Sequence, residues 1–104
     1  MPVATRIRAT LTQGVTEVRM RMTHPMHNGR GRDADDQLIP PHFIRSVIVR
    51  HRDRVVLDAQ FGTSVSRNPY LAFSFEGGAE GDPVSVDWED NLGQTRSDSV
   101  LIES

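Results

Sequence analysis

Apolar side chains recur at every second position along most of the chain. From Val3 to Leu11, Ile7, Ala9 and Leu11 alternate with Arg6, Arg8 and Thr10, the period of a strand with one face buried. After a Gln13-Gly14 turn, Val18, Met20 and Met22 point one way, while Glu17, Arg19, Arg21 and Thr23 point the other. From Phe43 to His51, Val47, Val49 and His51 share one face and Ile44 and Ile48 the other. A strand apolar on both sides is expected where both faces are covered. Arg52-Asp53 then turns the chain into Val55, Leu57, Ala59 and Phe61, which alternate with Val56, Asp58 and Gln60. Leu71, Phe73 and Phe75 mark an aromatic strand from Tyr70 to Glu76. Val84, Val86 and Trp88 mark the next, and Val100 and Ile102 the last, from Gln94 to Ile102.

These segments make about seven short strands separated by turn residues, and no window carries the 3.6-residue period of a helix. The fold expected is all-β, an immunoglobulin-like antiparallel β-sandwich, with residues 1–104 as a single domain. Trp88 is expected in the core. Its late position and the absence of a Cys pair separate the chain from antibody-type domains.

One stretch breaks the period. Between His24 and Phe43 lie roughly fifteen or more residues without a hydrophobic repeat, long for a connection in a compact domain. Pro25 and Pro40-Pro41 remove backbone donors at its two ends. Gly29, Gly31 and the charged residues Arg30, Arg32, Asp33, Asp35 and Asp36 form its middle. The segment between Gly29 and Gln37 is therefore expected to be its least ordered part.

Composition narrows the chemistry. The 104 residues carry 12 basic and 14 acidic side chains, a net charge of -2, and every basic residue is Arg. That balance argues against a nucleic-acid partner. No cysteine is present, so the domain holds no disulfide, thiol nucleophile or zinc-thiolate site. No apolar run approaches the roughly twenty residues of a membrane-spanning helix, and Met1 to Arg6 lacks the apolar region of a secretory signal. The expectation is no membrane partner and no signal peptide of its own.

The most reactive-looking cluster is Met20, Met22, His24, Met26 and His27, whose thioether and imidazole groups are ligands that copper accepts. A periplasmic copper-binding β-sandwich using Met26, His24 and His27 is thus an alternative function. Against it, Met20 and Met22 share a face with Val18 and read as core filler. The Asp33, Asp35 and Asp36 run lacks the spacing and terminal Glu of a calcium loop. No Ser-His-Asp set can be nominated, and His42 and His51 read as hydrogen-bonding residues. The expectation is a binding module with no catalytic residue, metal or cofactor.

Three blocks, in order, resemble the SoxZ family, a subunit of the thiosulfate-oxidising carrier complex. They are His24-Pro25-Met26 with Gly29, Ile39-Pro40 and Phe43-Ile44; Asn68-Pro69-Tyr70-Leu71-Ala72-Phe73; and Val86-Asp87-Trp88-Glu89-Asp90-Asn91-Leu92-Gly93. The chain departs from common members in having Arg52-Asp53 where an Asn-Gly-like turn is usual, and in having no Lys. The resemblance implies an immunoglobulin-like sandwich and a non-catalytic role beside a SoxY-like subunit, whose C-terminal Cys arm carries thiosulfate-derived sulfur. It further implies a periplasmic pair exported on the partner's signal, with transient contacts to the sulfur-oxidation enzymes. Partner-binding residues expected on this basis are His24, Pro25 and Met26 at the loop, and Phe43, Ile44 and Ile48 on the third strand.

Overall fold

A computed structural model describes residues 5–104. Val3, where the sequence pattern starts the first strand, lies outside the described residues. Seven strands follow in order: β1 Thr5–Thr12, β2 Val15–Met22, β3 Ile44–His51, β4 Arg54–Gln60, β5 Tyr70–Glu76, β6 Pro83–Asp90 and β7 Thr95–Leu101. They form two antiparallel sheets, β1-β2-β5 and β4-β3-β6-β7. The chain is thus an all-β sandwich, and its connectivity is immunoglobulin-like, with β4 added beside β3 at the edge of the larger sheet.

The β1–β2 hairpin has a two-residue turn whose backbone matches its residues. Gln13 and Gly14 both take positive φ, 52° and 79°, as a type I′ hairpin requires. The register Thr12↔Val15 through Thr5↔Met22 follows directly from that turn. Ala9, Val18, Met20 and Met22 from the small sheet meet Val47, Val49, Val84, Val86 and Trp88 from the large one. Trp88 is buried, as its alternation predicts, and its indole N–H donates to Thr5 Oγ1 at 3.2 Å.

Two bulges correct the alternation read from sequence. The register of β3 on β6 slips between Ile44 and Ser46, so Arg45 is an extra residue and Ile44 joins Val47 and Val49 inside. Ile44 therefore does not share the face of Ile48. A second slip pairs Val49 with Leu57 but Arg50 with Val55, which leaves Val55 exposed rather than in line with Leu57. After β7 the chain crosses to the other sheet. Glu103 N–H donates to Ala9 O and Leu11 N–H donates to Glu103 O, while Ile102 is buried between the sheets.

Asp82, just before β6, ties one end of the sandwich together. Its carboxylate accepts from Arg52 Nη2 at 2.6 Å, His51 Nε2 at 2.7 Å and Ala79 N–H at 3.0 Å. The Arg52 guanidinium, then His51, hold this carboxyl well below the usual carboxylate range.

Truncating Trp88 to Ala should cost about 3–5 kcal/mol, since it removes the largest buried side chain joining the sheets. Chemical denaturation checks this; a midpoint equal to that of the unchanged protein would remove Trp88 from the core.

Candidate functional site

The segment from Thr23 to Phe43 leaves the sandwich as two paired legs rather than a shapeless loop. His27 and His42 exchange backbone hydrogen bonds at 2.7 and 3.0 Å, and Ile39 N–H donates to Gly31 O at 2.8 Å. At the tip, Asp33 Oδ1 accepts from the backbone of Asp35 and Gln37, and Asp36 takes φ 61°. The stretch between Gly29 and Gln37 is closed by this side-chain-bonded turn. Close to the body the legs almost touch: a Cβ on Gly29 would lie 2.8 Å from Pro41 Cγ, and Gly29 has φ +84°. The arm carries Leu38, 56% exposed, at its far end.

What anchors the arm is one carboxylate. Asp90 ends β6, and its side chain is fully buried. Oδ2 faces His42 Nε2 at 2.8 Å and His24 Nε2 at 3.3 Å. Oδ1 accepts the backbone N–H of Leu92 at 3.0 Å and of Gln94 at 2.9 Å. Burial pushes the Asp90 carboxyl up, but these four donors outweigh it and the net displacement is downward, so Asp90 is ionised.

His24 has its tautomer set by its neighbours. Its Nδ1 accepts Met26 N–H at 3.1 Å, so the ring proton sits on Nε2, where it is donated to Asp90. Burial pulls the His24 pKa below its ordinary 6.5, against the opposing pull of Asp90. The ring also meets Trp88 and His42 edge-on, at centroid separations of 5.5 and 4.4 Å. Met26 takes φ 49°, which turns its side chain inward, and its Sδ accepts Ile44 N–H at 3.2 Å. Two asparagines complete the anchor. Asn68, at φ 54°, exchanges hydrogen bonds with the backbone of His24, and Asn91 accepts Phe43 N–H while donating to Pro41 O.

Of the residues expected to touch a partner, His24, Met26 and Ile44 are buried within the protein itself. They position the arm and the start of β3 rather than present side chains outward. Pro25, Phe43 and Ile48 are half-buried and border the surface. The structure gathers His24, His42 and Asp90, whose ligand atoms lie within 4.8 Å of one another. A cation among them would have to displace both donors from Asp90 Oδ2 and capture His24 at the nitrogen that now carries its proton. The donor set therefore fits a hydrogen-bonded anchor better than a metal centre. Among the described residues, every buried side-chain polar atom has a partner.

Sequence reading singled out His24 and treated His42 as a hydrogen-bonding residue, but did not give Asp90 a role. The available signal was its place at the head of the Asp90-Asn91-Leu92-Gly93 turn, where Asp characteristically accepts from the backbone two and more residues on.

Replacing Asp90 by Ala strands two imidazole N–H groups and two backbone donors. With about 1–3 kcal/mol lost for each donor left buried and unpaired, stability should fall, read from denaturant midpoints. Because His24 binds its proton less readily when folded than when unfolded, the unfolded chain takes up protons first as pH drops below about 6.5. Stability should accordingly fall through that window. The fall should be smaller in His24→Gln than in the unchanged protein; an equal fall would assign the effect elsewhere.

Comparison with known proteins returns the same family as the residue blocks. The family described as "Sulphur oxidation protein SoxZ" matches residues 5–101. Curated protein sequences gave no significant match. Among solved structures, the superoxide reductase (neelaredoxin) of Ignicoccus hospitalis superposes with a TM-score of 0.64 at 14% identity, covering 96% of this chain and 78% of that one. The superoxide reductase (neelaredoxin) of Archaeoglobus fulgidus gives 0.56 at 15% identity, covering 97% and 86%. At such identities the likeness is one of fold. The match over nearly the whole length, with its three blocks meeting around Asp90, assigns the chain to the SoxZ family of sulfur-oxidation proteins.

Proposed function

We propose that this chain is the non-catalytic subunit of a periplasmic sulfur carrier, paired with a SoxY-like subunit whose C-terminal Cys arm bears thiosulfate-derived sulfur. The observation that carries this reading is the family match across residues 5–101. It is supported by composition: the 104 residues contain no cysteine, so this domain offers no thiol to which sulfur could be attached. The chain's part is then to hold its partner and to shape the space in which the partner's arm moves. Export would follow the partner's signal, and contacts with the enzymes that load and oxidise the sulfur would be transient.

A projection anchored at its root suits that role. The arm is fixed at its root by Asp90 and exposes Leu38, while Leu92 is exposed on the turn that Asp90 begins. Ile48 faces outward on β3, opposite Asp58 of β4 and Asp87 of β6. Together with Phe43 and Pro25 it remains a contact candidate. Ile44, His24 and Met26 contribute indirectly, by setting the position of the backbone around them.

The test is co-purification of the tagged chain with the Cys-bearing subunit, followed by a thiosulfate-dependent loading assay. Ile48→Arg should abolish co-purification while leaving the melting temperature unchanged, because the new guanidinium stands between Asp58 and Asp87 in the free protein. Leu38→Asp should leave the pair assembled and reduce sulfur loading of the partner several-fold. Failure of the unchanged chain to hold any Cys-bearing subunit would overturn the carrier reading. Normal assembly of Ile48→Arg would move the interface off the large sheet.

A further inference from the structure

The outer face of the small sheet is unlike the rest of the surface. In the β1–β2 register Arg6 lies directly opposite Arg21, and Arg8 directly opposite Arg19. Tyr70 of β5 continues the first row, opposite Arg21. Four exposed guanidiniums thus form a two-by-two block in a protein whose net charge is -2. Like charges placed directly across a ladder disfavour the sheet that holds them. Folding does not require this arrangement.

The block is only partly neutralised. Arg19 pairs with Glu17 at 2.8 Å and Arg8 with Glu103 at 3.1 Å, both in open solvent where such pairs contribute little. Arg6 and Arg21 have no carboxylate partner among the described residues, and Arg21 instead lies over Tyr70, 5.7 Å from the ring centroid. Tyr70 is itself 52% exposed. Exposed Tyr and Arg on a broad face are the residue types that carry binding energy at protein interfaces, and the planar guanidinium matches a carboxylate with two parallel hydrogen bonds.

We propose that the Arg6–Arg8–Arg19–Arg21 face, with Tyr70 at its edge, is a docking surface for a protein that presents a cluster of Asp and Glu side chains. The face holds a hollow of about 260 Å³ between these arginines and Tyr70, too open to solvent to enclose a small anion. The overall negative charge, with Glu17 and Glu103 inside the patch, opposes a long polyanion such as nucleic acid. A second copy of the chain also presents exposed carboxylates, at Asp33, Asp35 and Asp36 of the arm tip, so self-association is one outcome of the test. The face is on the sheet opposite Ile48, so the inference goes beyond the carrier reading and does not depend on it. Contacts of this kind associate quickly and weaken with salt, which suits a partner that comes and goes.

The experiment titrates the isotope-labelled full chain with an oligo-glutamate peptide by NMR, at low and at high ionic strength. Shifts should centre on the backbone of Arg6, Arg8, Arg19, Arg21 and Tyr70, and the affinity should drop about tenfold or more as salt screens the patch. The double change Arg6→Glu with Arg21→Glu should abolish binding without lowering the melting temperature. Arg54→Glu, exposed on β4 of the other sheet, should leave binding intact. The proposal fails if oligo-glutamate causes no shift at this face, if thiosulfate or sulfate alone saturates the same shifts, or if an oligodeoxynucleotide binds there more tightly. It also fails if the chain self-associates through these arginines.

Discussion

An ionised carboxylate with no exposure to water is tolerated only when its oxygens are fully engaged, and Asp90 meets that condition with four donors. The donors come from three separate pieces of chain. His24 opens the long arm, His42 closes it, and Leu92 and Gln94 form the turn into β7. Because the desolvation cost of the charge is offset only while all of them are in place, the two ends of the arm and the β6–β7 turn are held as one unit. The neutral His24 extends the network further, since its second nitrogen receives Met26 N–H and Met26 in turn receives Ile44 N–H through sulfur.

Asp82 does related work at the opposite end of β6. It precedes the strand that Asp90 ends, and it joins the β3–β4 hairpin to the turn that follows β5 through His51, Arg52 and Ala79. The two acids thus clamp the same pair of central strands at either end. They differ in surroundings: Asp82 takes its stabilisation chiefly from a cation, Arg52, whereas Asp90 relies on imidazole and backbone dipoles. Between the clamps the core is ordinary close packing of Val, Met, Ile and Trp, and the outer faces are left to carry charge and contacts.

Much of this was legible before any coordinates. Strict alternation located all seven strands, and Trp88 and Val18 were assigned inward because nothing interrupts the period near them. The errors fall where a single extra residue enters a ladder. Arg45 and Val56 each shift the phase by one, which sends Ile44 inward and Val55 outward, and neither carries a Gly or Pro to mark the bulge. The arm was visible as a break in periodicity, but its hydrogen bonding was not, because that comes from Asp33 and Asp90 rather than from apolar residues. The anchor was half legible: His24, Asn68 and Asp90 lie in separate blocks of sequence, and only the fold shows that the blocks meet. The arginine face was hidden by a balanced net charge, since pairing Arg6 with Arg21 and Arg8 with Arg19 needs the hairpin register.

The central claim is that a charged Asp90 accepts from two imidazoles and so fixes the root of the arm. Nitrogen NMR of the imidazole rings tests it most directly, by reporting which ring nitrogen of His24 and His42 bears a proton as pH changes. The account predicts that His24 stays neutral, protonated on Nε2, to a pH below 6.5, and that Asp90→Asn perturbs the Nε2 resonances of both rings together. A His24 ring that titrates at its ordinary pKa, carries its proton on Nδ1, or ignores the change at Asp90 would contradict it.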